Sequence, residues 1–447
     1  PSADKLEAMI RSWVADGPIS GVYWLPALDA VDLDTLSIDG WREALRVRVK
    51  LLYTTMRTVY DSIEEPGTFL VSASRLGGRH GYDVDGAVAP LGGAVTGFTK
   101  TFKRERPGAT VKAVDFEASR KKAAPADALI AETLSDPGIV EVGYADGQRW
   151  TVALGEESAE DGQAGMVLSS DTVFVITGAA GSITSAITAD LARASGGVFH
   201  LLDVTPEPDP NDPDLTAFAG DQATLKTTIF ERLKASGERA TPAMVEKEMA
   251  GLERLDAALS AIRAVEAAGG TAHYHSVNLL DHDGVQAAME AVREESGRID
   301  VLVHAGGLEI SHLLPDKPPE QFDLVFDVKA DGWFSLMSAV GDMPLGATIG
   351  FSSIAGRFGN GGQADYSAAN DLLCKLATSF RRTRPDTRGV AIDWTAWGDI
   401  GMATRGSIPT MMKFAGIDML PAAAGIPFIR RELTAGSRTG EVLVGQE

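Results

Sequence analysis

Apolar positions along this chain alternate between two spacings. Leu6, Met9, Ile10 and Trp13 recur at helical spacing, and Gly21 to Leu28 (GVYWLPAL) then reads as a buried strand. A long helical pattern from Leu45 to Ile63 leads into a second strand, Gly67 to Ala73 (GTFLVSA), and the helix Gly92 to Phe102 leads into the strand Thr110 to Asp115. Strand, helix and strand in succession imply parallel pairing with helices on the sheet faces. Two short strand-like runs between Ile139 and Leu154, EVGYADG and RWTVAL, are placed to join this half to the next.

The polar, acidic, glycine-bearing stretch Glu156 to Gly165 (EESAEDGQAG) predicts a linker, with a second domain beginning close to Met166. Strands are expected at Thr172–Ile176, Val198–Leu202, Thr271–Leu279, Ile299–His304, Ala347–Phe351 and Val390–Trp394, and helices at Ser185–Ala194 and Gln321–Leu336. Pro206 to Asp214 (PEPDPNDPD) continues no regular element. Gln222 to Ala268 is helical with a break near Ala240-Thr241-Pro242, where Thr241 can cap and Pro242 open a second helix. That is more than a strand-to-strand crossover needs, so it is an insertion or an extended arm.

A chain of 447 residues is too long for one ordinary core. With 44% hydrophobic and 23% charged residues and no apolar run that could span a bilayer, it reads as a soluble protein without a membrane partner. The formal charge of −21 argues against nucleic acid, which requires a basic stripe. Lys100, Lys103, Arg104 and Arg106 do cluster, and are expected to form a solvated helix end. The single cysteine, Cys374, excludes a disulfide framework, fits a cytoplasmic location and belongs to a buried helix face. His273, His275 and His282 lie close together without the cysteine or carboxylate spacing of a metal site, so no metal is expected. Pro1 follows no initiator methionine, which suggests a piece of something longer.

Strand Thr172–Ile176 runs into Thr177-Gly178-Ala179-Ala180-Gly181-Ser182-Ile183-Thr184 and then a helix. A strand, a glycine turn and a helix aim backbone N–H groups and a helix dipole at a diphosphate. Thr177, Gly178, Ala180, Gly181, Ser182 and Ile183 are the candidate contacts, although Ser182 and Thr184 stand where many such loops carry glycine. Asp203, ending the second strand, is placed to accept the adenosine ribose hydroxyls, while Val204 and Ala180, where an arginine for a 2′-phosphate would be expected, are not basic. Asn278 and Leu279 close the third strand near the adenine, and His304, Ala305, Gly306 and Gly307 let the fourth come close to a ribose. Trp397, Gly401 and Met402 follow the sixth strand, and Ile408 to Ile417 (IPTMMKFAGI) is either a lid or plain packing. The first half has no such glycine turn and is expected to be a scaffold. The expected fold class is therefore α/β: two Rossmann-like subdomains, a degenerate structural one over 1–165 and a doubly wound parallel sheet over 166–447 that carries the active site.

The stretch FSSIAGRFGNGGQADYSAAN, from Phe351, supplies Ser353, Tyr366 thirteen positions later and Asn370 four beyond that, with Lys329 upstream. Together these side chains can protonate a carbonyl oxygen while a hydride reaches its carbon. The stretch resembles the ketoreductase domains of multidomain polyketide and polyunsaturated fatty acid synthases, within the short-chain dehydrogenase/reductase superfamily. The likeness extends over essentially the whole chain, including GGAVTGFTKTFKRERPGATVKAVDF in the first half and FERLKASGERATPAMVEKEM in the insertion. In ordinary short-chain dehydrogenases a lysine follows the tyrosine by four positions; here Asn370 stands there and Lys329 takes the lysine's part, as in synthase ketoreductases.

The resemblance implies a catalytic set of Lys329, Ser353, Tyr366 and Asn370. Tyr366 would be the proton donor, its pKa lowered by Lys329; Ser353 would hold the carbonyl oxygen, and Asn370 would anchor a water. It further implies reduction of a 3-oxoacyl thioester on acyl carrier protein, beside other domains of the same synthase, with NADPH. Asp203, Val204 and Ala180 suit NADH instead. Leu308-Glu309-Ile310 replaces the signature used to assign product configuration, which stays open. A catalytically silent spacer domain and a reductase of free coenzyme A esters are the alternatives.

Overall fold

Two parallel sheets, one per half, carry the chain in the computed structural model, which describes residues 1–445 apart from 119–123, 157–161, 237–239, 405–407, 415 and 438. Parts of the expected linker, of the break in the helical arm and of the lid stretch lie outside the described residues. The first sheet has the order β1 (Gly21–Ala27), β2 (Phe69–Ser74), β3 (Thr110–Phe116), β4 (Glu141–Ala145) and β5 (Gln148–Thr151). Its first four strands are parallel; β4 and β5 form an antiparallel hairpin. That hairpin closes the edge of the first sheet instead of bridging the halves, because two runs separated by Asp146-Gly147 are joined too tightly to reach elsewhere.

The second sheet comprises β6 (Val173–Thr177), β7 (Val198–Asp203), β8 (Thr271–Ser276), β9 (Ile299–His304), β10 (Leu345–Ser353), β11 (Arg388–Trp394) and β12 (Gly440–Val444). Its order is β12-β11-β10-β9-β6-β7-β8, parallel throughout. The strand order reverses at β6 and β9, and at this switch point open α/β sheets bind ligands beyond the strands' carboxyl ends. The seventh strand, β12, and the short helices Ala422–Gly425 and Phe428–Thr434 before it were not expected from the sequence. Five residues at the chain end, alternating only weakly, carry too little periodicity to be singled out. No helix among the described residues is long and apolar enough to cross a membrane.

The insertion folds as the helices Pro213–Ala219, Gln222–Ala235 and Pro242–Ala267. Thr241 caps the last of these, its side chain accepting from Met244 N, and Pro242 opens it. The outer part has its own small core of Leu215, Leu225, Ile229, Val245, Met249 and Leu252. Farther along, Ala261 and Val265 join the main core against Ile187 and Leu191 of the helix Ser182–Ser195. The arm is thus an ordinary crossover helix prolonged at its N-terminal end.

The halves meet where the helix Gly92–Glu105 crosses the helix Ala364–Thr383. A Cβ on Gly93 would lie 2.7 Å from Asp371 O, and one on Gly97 would lie 2.3 Å from Ser367 O, so backbone packs on backbone. On the same face Lys100, buried, sits 2.8 Å from Asp371 and 3.6 Å from Glu141. This corrects the expected solvated helix end: one turn beyond the glycines, Lys100 is carried into the crossing. Arg357 completes the group with two bonds to Glu141, at 2.9 and 2.6 Å. Burial alone would raise the Glu141 pKa, but Lys100 and Arg357 hold it well below the usual carboxylate range.

Glu141→Ala leaves buried Arg357 without its carboxylate and Lys100 with Asp371 alone, and should cost about 3–5 kcal/mol, read from urea unfolding at pH 7. Because the folded pKa is depressed, this contribution is complete above the unfolded carboxylate range and is lost as the pH falls below it. The difference between wild type and variant should therefore shrink in acid.

Candidate active site

β10 delivers Ser353 at its carboxyl end, and the chain turns there into the short helix Ile354–Phe358. Ser353 caps that helix, its Oγ accepting from Ala355 N at 3.1 Å, which leaves its hydroxyl proton to be donated elsewhere. Tyr366 and Asn370 occupy the first two turns of the helix Ala364–Thr383 and share a face. The helix start is pinned by a buried ion pair, Lys317 with Asp365 at 2.6 Å, and Asp365 Oδ1 accepts from Tyr366 N at 2.8 Å.

Lys329 rises from the helix Pro319–Val340 and is buried. Its Nζ donates to Asn370 Oδ1 at 2.8 Å and to Phe351 O, and lies 5.7 Å from the centre of the Tyr366 ring. Asn370 Nδ2 donates to Tyr366 O at 2.8 Å. The Asn370 amide thus orients the lysine and ties into the helix backbone, with a second N–H and a second oxygen lone pair left over for a water. All four expected side chains converge on a cavity of about 380 Å³, also lined by Ile183, Trp394 and Met402. From the stretch Ile408 to Ile417, Ile408, Met412 and Ile417 line it too.

Burial lowers the Lys329 pKa to about 8, with Cys374 and Asp393 acting in the opposite sense. Burial raises that of Tyr366, against hydrogen bonds with Ser353 and Asn370 that lower it. The net shift is upward, where lowering by Lys329 was expected, because dehydration of the phenolate outweighs the hydrogen bonds that favour it.

At the nucleotide end, Gly178 takes φ +69°, and a Cβ there would lie 2.9 Å from Gly306 N. No side chain caps the helix Ser182–Ser195 at Gly181, so its first-turn N–H groups are available to a diphosphate. A Cβ on Gly307 would meet Lys329 Cε at 2.7 Å, which brings the loop after β9 against that lysine. Crowding at Gly178 and Gly307, with an uncapped helix end beside it, fits a dinucleotide.

Several expected contacts hold this cradle together instead of lining it. Thr177 Oγ1 accepts from Ala305 N and Gly306 N, both at 3.1 Å. His304 is buried between Thr177 Oγ1 and Lys329 O, each 3.0 Å away, and burial lowers its pKa to about 3, so it stays neutral. Ser182 Oγ accepts from Gly401 N at 3.1 Å and so ties the turn to the loop of Trp397 and Met402; the hydroxyl in a glycine's place has a structural use. Asn278 is exposed and accepts from Leu280 N at 3.0 Å, while Leu279 packs beneath Gly306 and Gly332.

Asp203 also departs from expectation. It is buried, Oδ2 accepting from Ala180 N of the glycine turn at 3.0 Å and Oδ1 from Thr205 N, two residues along its own strand end, at 2.8 Å. Neither Val204 nor Ala180 is basic, but Arg254 of the arm reaches Asp203 Oδ1 at 3.5 Å. Nothing in the linear spacing marks Arg254, because only docking of the arm brings it there. Lys317, Asp365 and Phe351 were missed for the same reason.

The family model described as the KR domain matches residues 172–399, just over half of the chain. The chain belongs to this family. The KR domain is 29% identical to a polyunsaturated fatty acid synthase polypeptide of Thraustochytrium sp. over 84% of its own length. It is 28% identical to polyketide synthase ThaG of Burkholderia thailandensis over 79% of its length. It spans only 14% and 6% of those relatives. In fold it is similar to a ketoreductase domain from the bacillaene assembly line, with TM-score 0.68 and 18% identity over 96% of this chain and 94% of that one. An A-type ketoreductase from a modular polyketide synthase gives TM-score 0.70 and 17% identity over 100% and 82%. A nicotinamide-dependent ketoreductase role goes with the family.

A lysine of pKa about 8 sets a pH limit on this site. Loss of its proton removes the positive charge beside Tyr366, so kcat/KM for reduction should fall about tenfold per pH unit above about 8. Lys329→Met should flatten that limb in steady-state profiles.

Proposed function

We propose that this KR domain reduces a 3-oxoacyl thioester, carried on the phosphopantetheine arm of an acyl carrier protein, to the 3-hydroxyacyl thioester. Residues 1–165 are its structural part and 166–447 its catalytic part, working among other domains of a cytoplasmic synthase. The observation that carries the reading is the Asn370-held Lys329 ammonium beside Tyr366 and Ser353, at a cavity that reaches the glycine turn through Ile183.

When bound, the reduced nicotinamide supplies the hydride. Ser353 donates to the substrate carbonyl oxygen and fixes it next to the Tyr366 hydroxyl. Tyr366 transfers its proton to that oxygen as the negative charge develops there. Its raised pKa keeps the phenol protonated beforehand. Lys329 stabilises the phenolate left behind, and Asn370 keeps the lysine aimed. Phe351, Trp394 and Trp397 make the cavity wall apolar, which excludes water and strengthens each of these interactions.

The reductant is NADPH. Asp203 is buried and already accepts from Ala180 N and Thr205 N, while Arg254, 51% exposed, can take a 2′-phosphate with nitrogens its long contact to Asp203 leaves over. Arg254→Glu should weaken NADP⁺ binding at least tenfold in calorimetry and leave NAD⁺ binding nearly unchanged. Equal loss for both would rule out the phosphate role.

Tyr366→Phe should lower turnover about 10²- to 10⁴-fold, followed as loss of nicotinamide absorbance with a 3-oxoacyl thioester, with NADP⁺ affinity intact. Absence of turnover in the wild type, with either nucleotide and with either carrier-bound or coenzyme A thioesters, would instead favour a silent spacer domain.

A further inference from the structure

We propose that His200, His273, His275 and Glu295 form a binding site for a divalent transition metal, zinc being the best match, at the β8 edge of the second sheet. The four residues come from β7, β8 and the helix His282–Ser296. His200 and His273 are register partners across the β7–β8 pair, and His275, two residues on, returns to the same face. Glu295 reaches the group from the last turn of its helix. Sequence spacing hid the site because the carboxylate and the third imidazole arrive only when β7 and the helix pack against β8.

The ligand atoms are already grouped. His273 Nδ1 lies 3.1 Å and His200 Nδ1 3.9 Å from Glu295 Oε2, and His200 Nδ1 lies 3.2 Å from His275 Nε2. Tetrahedral zinc with bonds of about 2.0–2.1 Å to nitrogen sets its ligands about 3.3 Å apart; His200, His273 and Glu295 already bring ligand atoms within 4.8 Å of one another, and His275 joins them through His200. Three imidazoles and a carboxylate are a donor set for zinc and its neighbours, not for magnesium or calcium.

A second observation concerns the far side of the buried ring. His200 Nε2 is 3.0 Å from Ser296 Oγ, which gives that nitrogen an oxygen partner and turns the Nδ1 lone pair toward the cluster. Metal-bound histidines characteristically donate their other N–H to such an oxygen. His273 and Glu295, 32% and 44% exposed, leave a path for the ion. The rings of His200 and His273 are now stacked, with centroids 4.8 Å apart and planes at 14°. Stacked rings direct their lone pairs side by side, so binding requires rotation about χ2, which the exposed His273 can supply. The bound ion would fasten the edge strand to its helix immediately after the arm returns to the sheet.

The test uses untagged, chelator-treated full chain at pH 7.5. Calorimetric titration with zinc should give one ion per chain with micromolar or tighter Kd, and His273→Ala with Glu295→Gln should weaken it at least tenfold, while His312→Ala should not. Cobalt(II) should give the intense visible absorption of tetrahedral coordination in the wild type alone. Both variants lie at exposed positions, so folding is checked separately by circular dichroism and His200 is left in place. Absence of one-to-one binding, an unchanged affinity in the double variant, or a weak octahedral cobalt spectrum would each overturn the proposal.

Discussion

The architecture depends on one close crossing. Gly93 and Gly97, one helical turn apart, let the helix Gly92–Glu105 lie backbone to backbone on the helix that carries Tyr366 and Asn370. Any Cβ at Gly97 would meet a carbonyl oxygen, which cannot yield as a flexible side chain would. The crossing is reinforced by the residues that follow on the same face. Thr96 and Lys100 bind Asp371, and Glu105 accepts from Gly362 N and Leu314 N, at 2.9 and 3.0 Å. Thr101 accepts from Asn360 N at 3.2 Å. A half without a glycine turn of its own thereby fixes the loop and helix that present the phenol.

From that constraint follows the electrostatic character of the site. The helix Ala364–Thr383 is buried on nearly every side, so the groups it meets are dehydrated and their charges must be matched locally. Lys329 receives only neutral oxygen partners, Asn370 Oδ1 and Phe351 O, and its pKa falls. Deeper along the same helix, Lys375 pairs with Glu441 at 3.1 Å and Asp371 at 3.4 Å, and its pKa rises. Two buried lysines on one sheet face are thus tuned in opposite directions by the charge of their neighbours. The one poised near neutrality is the one that faces the cavity.

Much of this was legible in the chain. The alternation of strand and helix, the glycine turn and the spacing of Ser353, Tyr366 and Asn370 are local signals, and each fell where its periodicity placed it. Lys329 was found through the resemblance, since no spacing rule ties it to Tyr366. What stayed hidden is tertiary. Thr177, His304 and Ser182 carry groups suited to a ligand, and the fold uses them on one another. Lys100 looked solvated because charge clusters usually are, yet its helix face is the interface. β12 escaped because five weakly alternating residues at a chain end resemble irregular structure until β11 offers them an edge.

The arm shows why residue identity at the nucleotide site could not be read from strand ends alone. Ser185 Oγ donates to Ala257 O at 2.7 Å, and this contact holds the arm helix against the helix of the glycine turn. One turn earlier on the same helix stands Arg254. Its backbone is fixed by packing, while its side chain, half exposed and in a single long ion pair, keeps its freedom. At 3.5 Å to a single carboxylate oxygen, that pair leaves the other guanidinium nitrogens free to bond elsewhere. The proposed contact to a 2′-phosphate would thus come from the insertion, while the carboxylate at the strand end stabilises the turn.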